Sequence, residues 1–252
     1  MPRSNTSEPE FLKAPAVYLV RHGRIPDYRT DQPLTTQGRR EASAAGRAIS
    51  DDISGSERVR VFSGPSRRTR ETAALLRDGL CSAVAEKEMH IDVSPVVDVE
   101  DWLQNFQFYL DSLSYDPIEP LMDVSLWRSQ EHPSRHYKAC VAFHTAFWRS
   151  ADPMGFWLTH PSEAAESPQS VAERTYAGVA HHLKESARAA EVKCDICVTH
   201  SANLRAFLQR VFGRAPSEPP FCGIVLIRGG WVRYEGQTTR FPMSGRETVS
   251  KT

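Results

Sequence analysis

Long apolar runs are missing from this sequence: no stretch approaches the roughly 20 consecutive apolar residues that a membrane-spanning helix needs. An excess of charge is missing too. The 31 basic side chains are matched by 31 acidic ones, a formal net charge of zero, so there is no electrostatic reason to expect nucleic acid or an anionic membrane as partner. Cysteine is sparse. Cys81, Cys140, Cys194, Cys197 and Cys222 are odd in number and scattered, which supplies no disulfide framework and makes a reducing cytoplasm the expected compartment. Cys194 and Cys197 have C-x-x-C spacing, but a zinc site needs a second pair and a redox motif opens a helix. Here the pair falls in an apparent strand and reads as two buried small side chains. Internal repeats and low-complexity tracts are also lacking.

What is present is the composition of an ordinary globular protein, with 40% hydrophobic and 25% charged residues in 252. Residues 1–13 are polar, contain proline and have no signal-peptide core; they read as a disordered leader. Residues 14–252 then fit a single domain.

The organising stretch is Val17-Tyr18-Leu19-Val20-Arg21-His22-Gly23. A short apolar run reads as a buried strand, and it ends in a cation, a histidine and a glycine. Ligands in open α/β sheets sit at the carboxyl ends of the strands. A helix follows within the stretch from Leu34 to Ile49, capped by Thr35 or Thr36. Val59 to Phe62 is a second strand, and Ser63-Gly64-Pro65-Ser66 turns into a helix beginning Arg67-Arg68-Thr69-Arg70. Met89 to Val99 reads as a strand interrupted at Pro95.

An aromatic-rich segment, Trp102 to Trp157, follows, with a helix expected within 123–150. Ser167-Pro168 opens another helix, with Ala172, Tyr176, Val179 and Leu183 as its buried stripe and His181 and His182 at the surface. The strand Asp195 to Thr199 ends at His200, the next helix stops at Gly213, and Gly229-Gly230 marks a hairpin. Strands alternating with helices argue for a three-layer α/β/α sandwich on a mostly parallel sheet.

Arg21-His22, Arg68 and His200 occupy the same kind of position, just past strand ends, so folding would bring them to one rim. Two arginines and two histidines around one pocket, with helix N-termini nearby, suit a phosphoryl group. Taken alone, Arg67, Arg68 and Arg70 would be a solvated helix face, and His200 a satisfied strand-end histidine.

The ordered set resembles the histidine phosphatase superfamily, the phosphoglycerate-mutase-like proteins. Arg21-His22-Gly23 matches its signature, Leu34-Thr35-x-x-Gly38-x-x-x-Ala42 its first helix, and Arg68-Thr69-Arg70-Glu71-Thr72-Ala73 its R-A-x-x-T-A motif. Ala165-Glu166-Ser167 with Arg174 resembles G-E-S…R, and Val198-Thr199-His200-Ser201 resembles the second-histidine strand.

The resemblance implies a phosphoglycerate-mutase-like fold and a metal-independent, cofactor-free enzyme of the branch 1 phosphatase type. His22 would be the nucleophile and become phosphohistidine; Arg21, Arg68 and His200 would hold the phosphoryl oxygens. A neutral nucleophile is required, and neighbouring cations help keep it so. The family also places an acid after the third strand in an L-x-E context. Val97-Asp98-Val99-Glu100-Asp101-Trp102 offers three carboxylates; Glu100 is the expected acid, with Asp98 and Asp101 close behind. Gly64 stands where a serine is usual, and His200-Ser201 is not the pair of the acid-phosphatase branch.

The function expected is hydrolysis of a small phosphorylated metabolite. A phosphomutase or a phosphoprotein phosphatase of the same fold is an alternative, and a phosphate-recognition module without turnover is another. The insertion at about 102–165 is expected to form a cap or lid, with Trp102, Phe106 and Tyr109 as one helical face walling the pocket. Oligomeric state is not legible.

Overall fold

The computed structural model describes residues 14–28, 30–53, 58–110, 113–118, 135–188, 193–214 and 216–242; the leader expected over 1–13 and the first part of the helix expected within 123–150 lie outside them. β1 (Ala16–Arg21) is buried at every position and lies between β6 (Lys193–Thr199), parallel to it, and β7 (Ile224–Arg228), antiparallel. β2 (Arg58–Ser63) pairs parallel with β6 and with β3 (Asp92–Val99). β8 (Trp231–Tyr234) and β9 (Gln237–Arg240) complete the order β3-β2-β6-β1-β7-β8-β9. Pro95 sits in the edge strand β3, and the pairing with β2 shifts register there, between Val59 and Val61. An edge strand is the place where a sheet accommodates proline.

Alternation along each strand divides the core into two layers. Tyr18, Val20, Val61, Ile196 and Val198 face α1 (Thr36–Ile49) and α2 (Arg67–Glu86). Val17, Leu19, Phe62, Cys197 and Ile227 face α5 (Pro168–Arg188) and α6 (Ser201–Phe212). The expected three-layer α/β/α sandwich is therefore the observed one. α1 and α2 press together through Gly46 and Gly79, where a Cβ would overlap a carbonyl of the facing helix. Thr35 caps α1 by accepting from the Gly38 N–H, and α6 ends on Gly213 with φ +72°.

The aromatic insertion supplies a third, smaller core. Its pieces are a 3₁₀ turn (Asp101–Leu103), the short hairpin β4 (Phe108–Leu110) and β5 (Leu113–Tyr115), α3 (Arg135–Arg149) and α4 (Pro153–Thr159). Phe106, Phe108, Phe147 and Trp157 pack against Ala172 of α5 and Ala202 and Ala206 of α6. Phe106 stacks on Trp157 with ring centroids 4.6 Å apart. The insertion is thereby fastened to the end of the sheet where β1, β2 and β6 terminate.

His182 departs from expectation. Its ring is buried, not at the surface, because the inward face of α5 is wider than the stripe read from apolar residues and also takes in Thr175, His182 and Ser186. Nδ1 and Nε2 each lie 2.9 Å from a carboxylate oxygen, Asp195 Oδ2 and Glu100 Oε2. Arg60 pairs with Asp195 at 2.8 and 2.6 Å. Burial opposes charge on His182, but hydrogen bonds to the two carboxylates outweigh it and push its pKa up to about 9.

A folded-state pKa above the unfolded value of about 6.5 contributes stability that is complete below that value and is lost as pH rises through about 9. The unfolding free energy should fall over this interval by an amount on the order of 2 kcal/mol. Urea titrations at pH 6 and 9.5 measure it, and His182→Gln should abolish most of the difference.

Candidate active site

Four side chains meet where the parallel strands end. β1 delivers Arg21 and then His22, whose backbone N–H still bonds the Thr199 carbonyl across to β6 at 2.9 Å. β2 runs through Ser63 and Gly64 into α2, whose second residue is Arg68. β6 ends at Thr199, and His200 precedes α6. Thr72, one turn into α2, accepts from the Gly23 N–H at 2.9 Å and ties the histidine loop to the arginine helix. The set is buried: Arg21, His22, Arg68 and His200 are 5%, 3%, 1% and 2% exposed.

The tautomer of each histidine follows from its partner. His22 Nδ1 is 2.9 Å from the Gly23 carbonyl, which can only accept, so Nδ1 carries the proton and Nε2 keeps its lone pair. Burial first, then Arg68 and Arg21, hold the His22 pKa well below its ordinary value. His200 Nδ1 accepts from Arg68 Nη2 at 3.1 Å, which places the proton on Nε2. Burial and Arg68 also keep this ring neutral. His22 and His200 meet edge-on, with ring centroids 5.5 Å apart.

Both arginines are held by acceptors. Arg21 donates to the Pro219 carbonyl, pairs with Glu218 at 2.9 Å and lies over the Phe221 ring. Arg68 pairs with Asp31 at 2.9 Å and Asp116 at 2.8 Å. Asp31 also receives the backbone N–H of Arg67 at the start of α2, the position an oxyanion takes at a helix N-terminus. Among the described residues, three buried donors of the site have no partner: Arg21 Nε, Arg68 Nε and His200 Nε2. A buried donor without an acceptor costs about 1–3 kcal/mol, and an oxyanion carries acceptors for such groups.

Glu100, the carboxylate expected to be the acid, is not brought to this cleft. Its Oε2 accepts from Trp102 Nε1 and His182 Nε2, on the α5 side of the sheet, and Glu100 lines neither chamber of the site. Asp98 and Asp101 are exposed. From the chain just beyond, Asn105 lines both chambers of the cleft, and Gln104 and Gln107 line one of them. Asn105 is buried, its amide lies 3.4 Å from Asp116, and its carbonyl is held at 3.0 Å by Arg174. Arg174 also pairs with Glu166 at 2.9 Å and binds the carbonyls of Trp102 and Gln104, so the G-E-S…R motif positions this segment.

The expected aromatic wall is also different. Trp102, Phe106 and Tyr109 do not share a helical face, because the chain here is a 3₁₀ turn followed by extended segments. Trp102 packs on His182, Phe106 is buried in the insertion's core and Tyr109 is exposed. The cleft beside His22 is walled by Tyr28, Ile118, Trp148, Met154 and Phe221.

A family model described as the histidine phosphatase superfamily (branch 1) matches residues 17–91, the stretch that carries Arg21, His22 and Arg68. Over residues 17–91, about a third of the chain, the sequence is similar to that superfamily. Beyond that stretch, solved structures share the fold of most of the chain. YhfR of Bacillus stearothermophilus superposes with a TM-score of 0.53 at 17% identity, covering 90% of this chain and 100% of that one. A mycobacterial glucosyl-3-phosphoglycerate phosphatase complexed with VO3 gives 0.52 at 18% identity, with coverages of 88% and 98%. A phosphoglycerate mutase from Bacillus anthracis gives 0.51 at 14% identity, with 91% and 93%. At these identities the likeness is one of fold. No curated protein matches the sequence significantly.

The carboxylates on Arg68 compete with any oxyanion that binds there. Removing one like charge a few ångströms from the anion should tighten binding, by at least about threefold at the effective dielectric of a partly buried site. Asp116→Asn should therefore lower the Kd for orthovanadate, as measured by calorimetry. Glu100→Gln should leave it within about twofold, since that carboxylate serves His182.

Proposed function

We propose that this protein hydrolyses phosphate monoesters of small molecules through a phosphohistidine formed on His22. The carrying observation is the hydrogen bond from His22 Nδ1 to the Gly23 carbonyl, which leaves the Nε2 lone pair free on a ring that burial and two arginines keep neutral. Nε2 attacks phosphorus in line; the P–N bond forms as the P–O bond to the leaving group breaks. Arg21, Arg68 and the Nε2–H of His200 take the charge on the phosphoryl oxygens. Water then attacks the phosphoryl group, the P–N bond breaks, and inorganic phosphate leaves with the ring again neutral. The scattered cysteines, which form no disulfide among the described residues, support a reducing compartment, the cytoplasm, as the site of action.

The leaving oxygen needs a proton, and the amide of Asn105 cannot supply one. Asp116 is the carboxyl group next to it. When a phosphoryl dianion takes Arg68, it displaces Asp116 from the guanidinium. Released from Arg68, Asp116 is placed to serve as the general acid. Asp116→Asn should reduce turnover of an alkyl phosphate by roughly 10²-fold, within the range of general acid catalysis, and that of a nitrophenyl ester far less.

Asn105 also supports a second reading, a module that binds phosphate esters without turning them over. Release of inorganic phosphate from a chromogenic ester divides the two. The wild-type protein should turn over, and His22→Ala should abolish turnover while keeping the native thermal midpoint. With its pKa well below 6.5, His22 should impose no loss of rate as pH falls through that value. Equal activity in the wild type and His22→Ala would remove His22 from the mechanism.

A further inference from the structure

The cleft beside His22 opens into a chamber of about 420 Å³, within the size range of small-molecule sites. Its composition is one-sided. Arg21, His22 and His200 stand at one end, and the rest of the wall is largely apolar, with Ile118, Met154 and the Tyr28 and Trp148 rings 6.1 Å apart. Trp148 belongs to α3 and Met154 to α4, so the insertion builds much of this wall.

The charged groups at its margin are already committed. Asp152 caps α4 through the Gly155 N–H and is paired with Arg205 at 2.6 and 3.0 Å. Glu218 is paired with Arg21 and accepts from Ser201 at 2.7 Å. Among the described residues lining the chamber, Arg21 and the two histidines are the only basic side chains. They belong to the phosphoryl end.

Resting on the phosphatase reading above, we infer that the substrate carries a single anionic group, its phosphate, on an uncharged apolar body such as an aryl or arylalkyl group. Apolar walls bind such a body by removing it from water. Among the described lining residues, a second carboxylate or phosphate would meet Asp152, Glu218 and apolar side chains, with no cation outside the phosphoryl end to receive it. Desolvating an ion without a partner is costly. Phosphorylated sugar acids and bisphosphates are therefore poor substrates.

Non-hydrolysable phosphonates separate this inference from the question of turnover. In calorimetry, 3-phenylpropylphosphonate should bind at least tenfold more tightly than propylphosphonate, about 1.4 kcal/mol, and phosphonoacetate should bind more weakly than either. Met154→Lys, which sets a cation in the apolar wall, should narrow the gap between phenylpropylphosphonate and phosphonoacetate by tenfold or more; Met154→Leu should preserve it. Equal affinity for the phenylpropyl and propyl ligands, or phosphonoacetate as the tightest of the three, would overturn the inference. Turnover of 3-phenylpropyl phosphate tests the parent reading on its own. The predicted order of affinities without phosphate release would keep the ligand class and reject hydrolysis.

Discussion

A guanidinium that is 1% exposed dictates the arrangement of this site. Arg68 cannot be left buried without partners, because an unpaired charge in a protein interior costs several kcal/mol. Its partners come from three segments: Asp31 after β1, Asp116 after β5 and His200 after β6. Satisfying this one charge draws together the loops that follow three neighbouring parallel strands. The same loops bring His22 within 5.5 Å of His200. The carboxylates that stabilise the folded state are then the groups that any oxyanion binding at Arg68 would have to displace.

Three histidines in this chain show how environment assigns chemistry to one residue type. His22 and His200 are buried beside cations and held neutral. His182 is buried between two carboxylates, and its pKa is pushed up to about 9. The first environment suits a nucleophile and a neutral donor. The second forms a structural clamp, because Glu100, Asp195, Arg60 and His182 join β3, β6, β2 and α5 through alternating charges. A carboxylate in that clamp is committed to packing the sheet against its helix.

Much of this architecture was legible because local rules and long-range order agreed. Apolar runs ending in Arg21-His22, Ser63-Gly64 and Thr199-His200 read as strands meeting one rim, and the sheet order places them there. Gly213 and the Gly229-Gly230 turn were readable from the conformations only glycine adopts easily; both turn glycines have positive φ. Glu235-Gly236 makes a second turn of the same kind, and its signal was weaker because Glu235 takes a φ of 45° that its side chain disfavours. Glu100 was the expected acid because Asp98, Glu100 and Asp101 crowd one short stretch; the sequence could not show that His182 would hold Glu100 away from the cleft. Asp31, Asp116 and Glu218 lie in irregular segments without periodicity, so only tertiary contact reveals them. The aromatic wall was misplaced for a related reason: helical spacing has no meaning in a segment that is not a helix.

The most direct test of the account is to trap the intermediate. Protein mixed with a turned-over ester and quenched rapidly in base should carry a phosphoryl group on the peptide containing His22. The adduct should be stable to alkali and lost in acid, as a P–N bond requires, and absent from His22→Ala. A phosphoryl group on any other residue, or turnover with no such adduct at any quench time, would contradict the central claim.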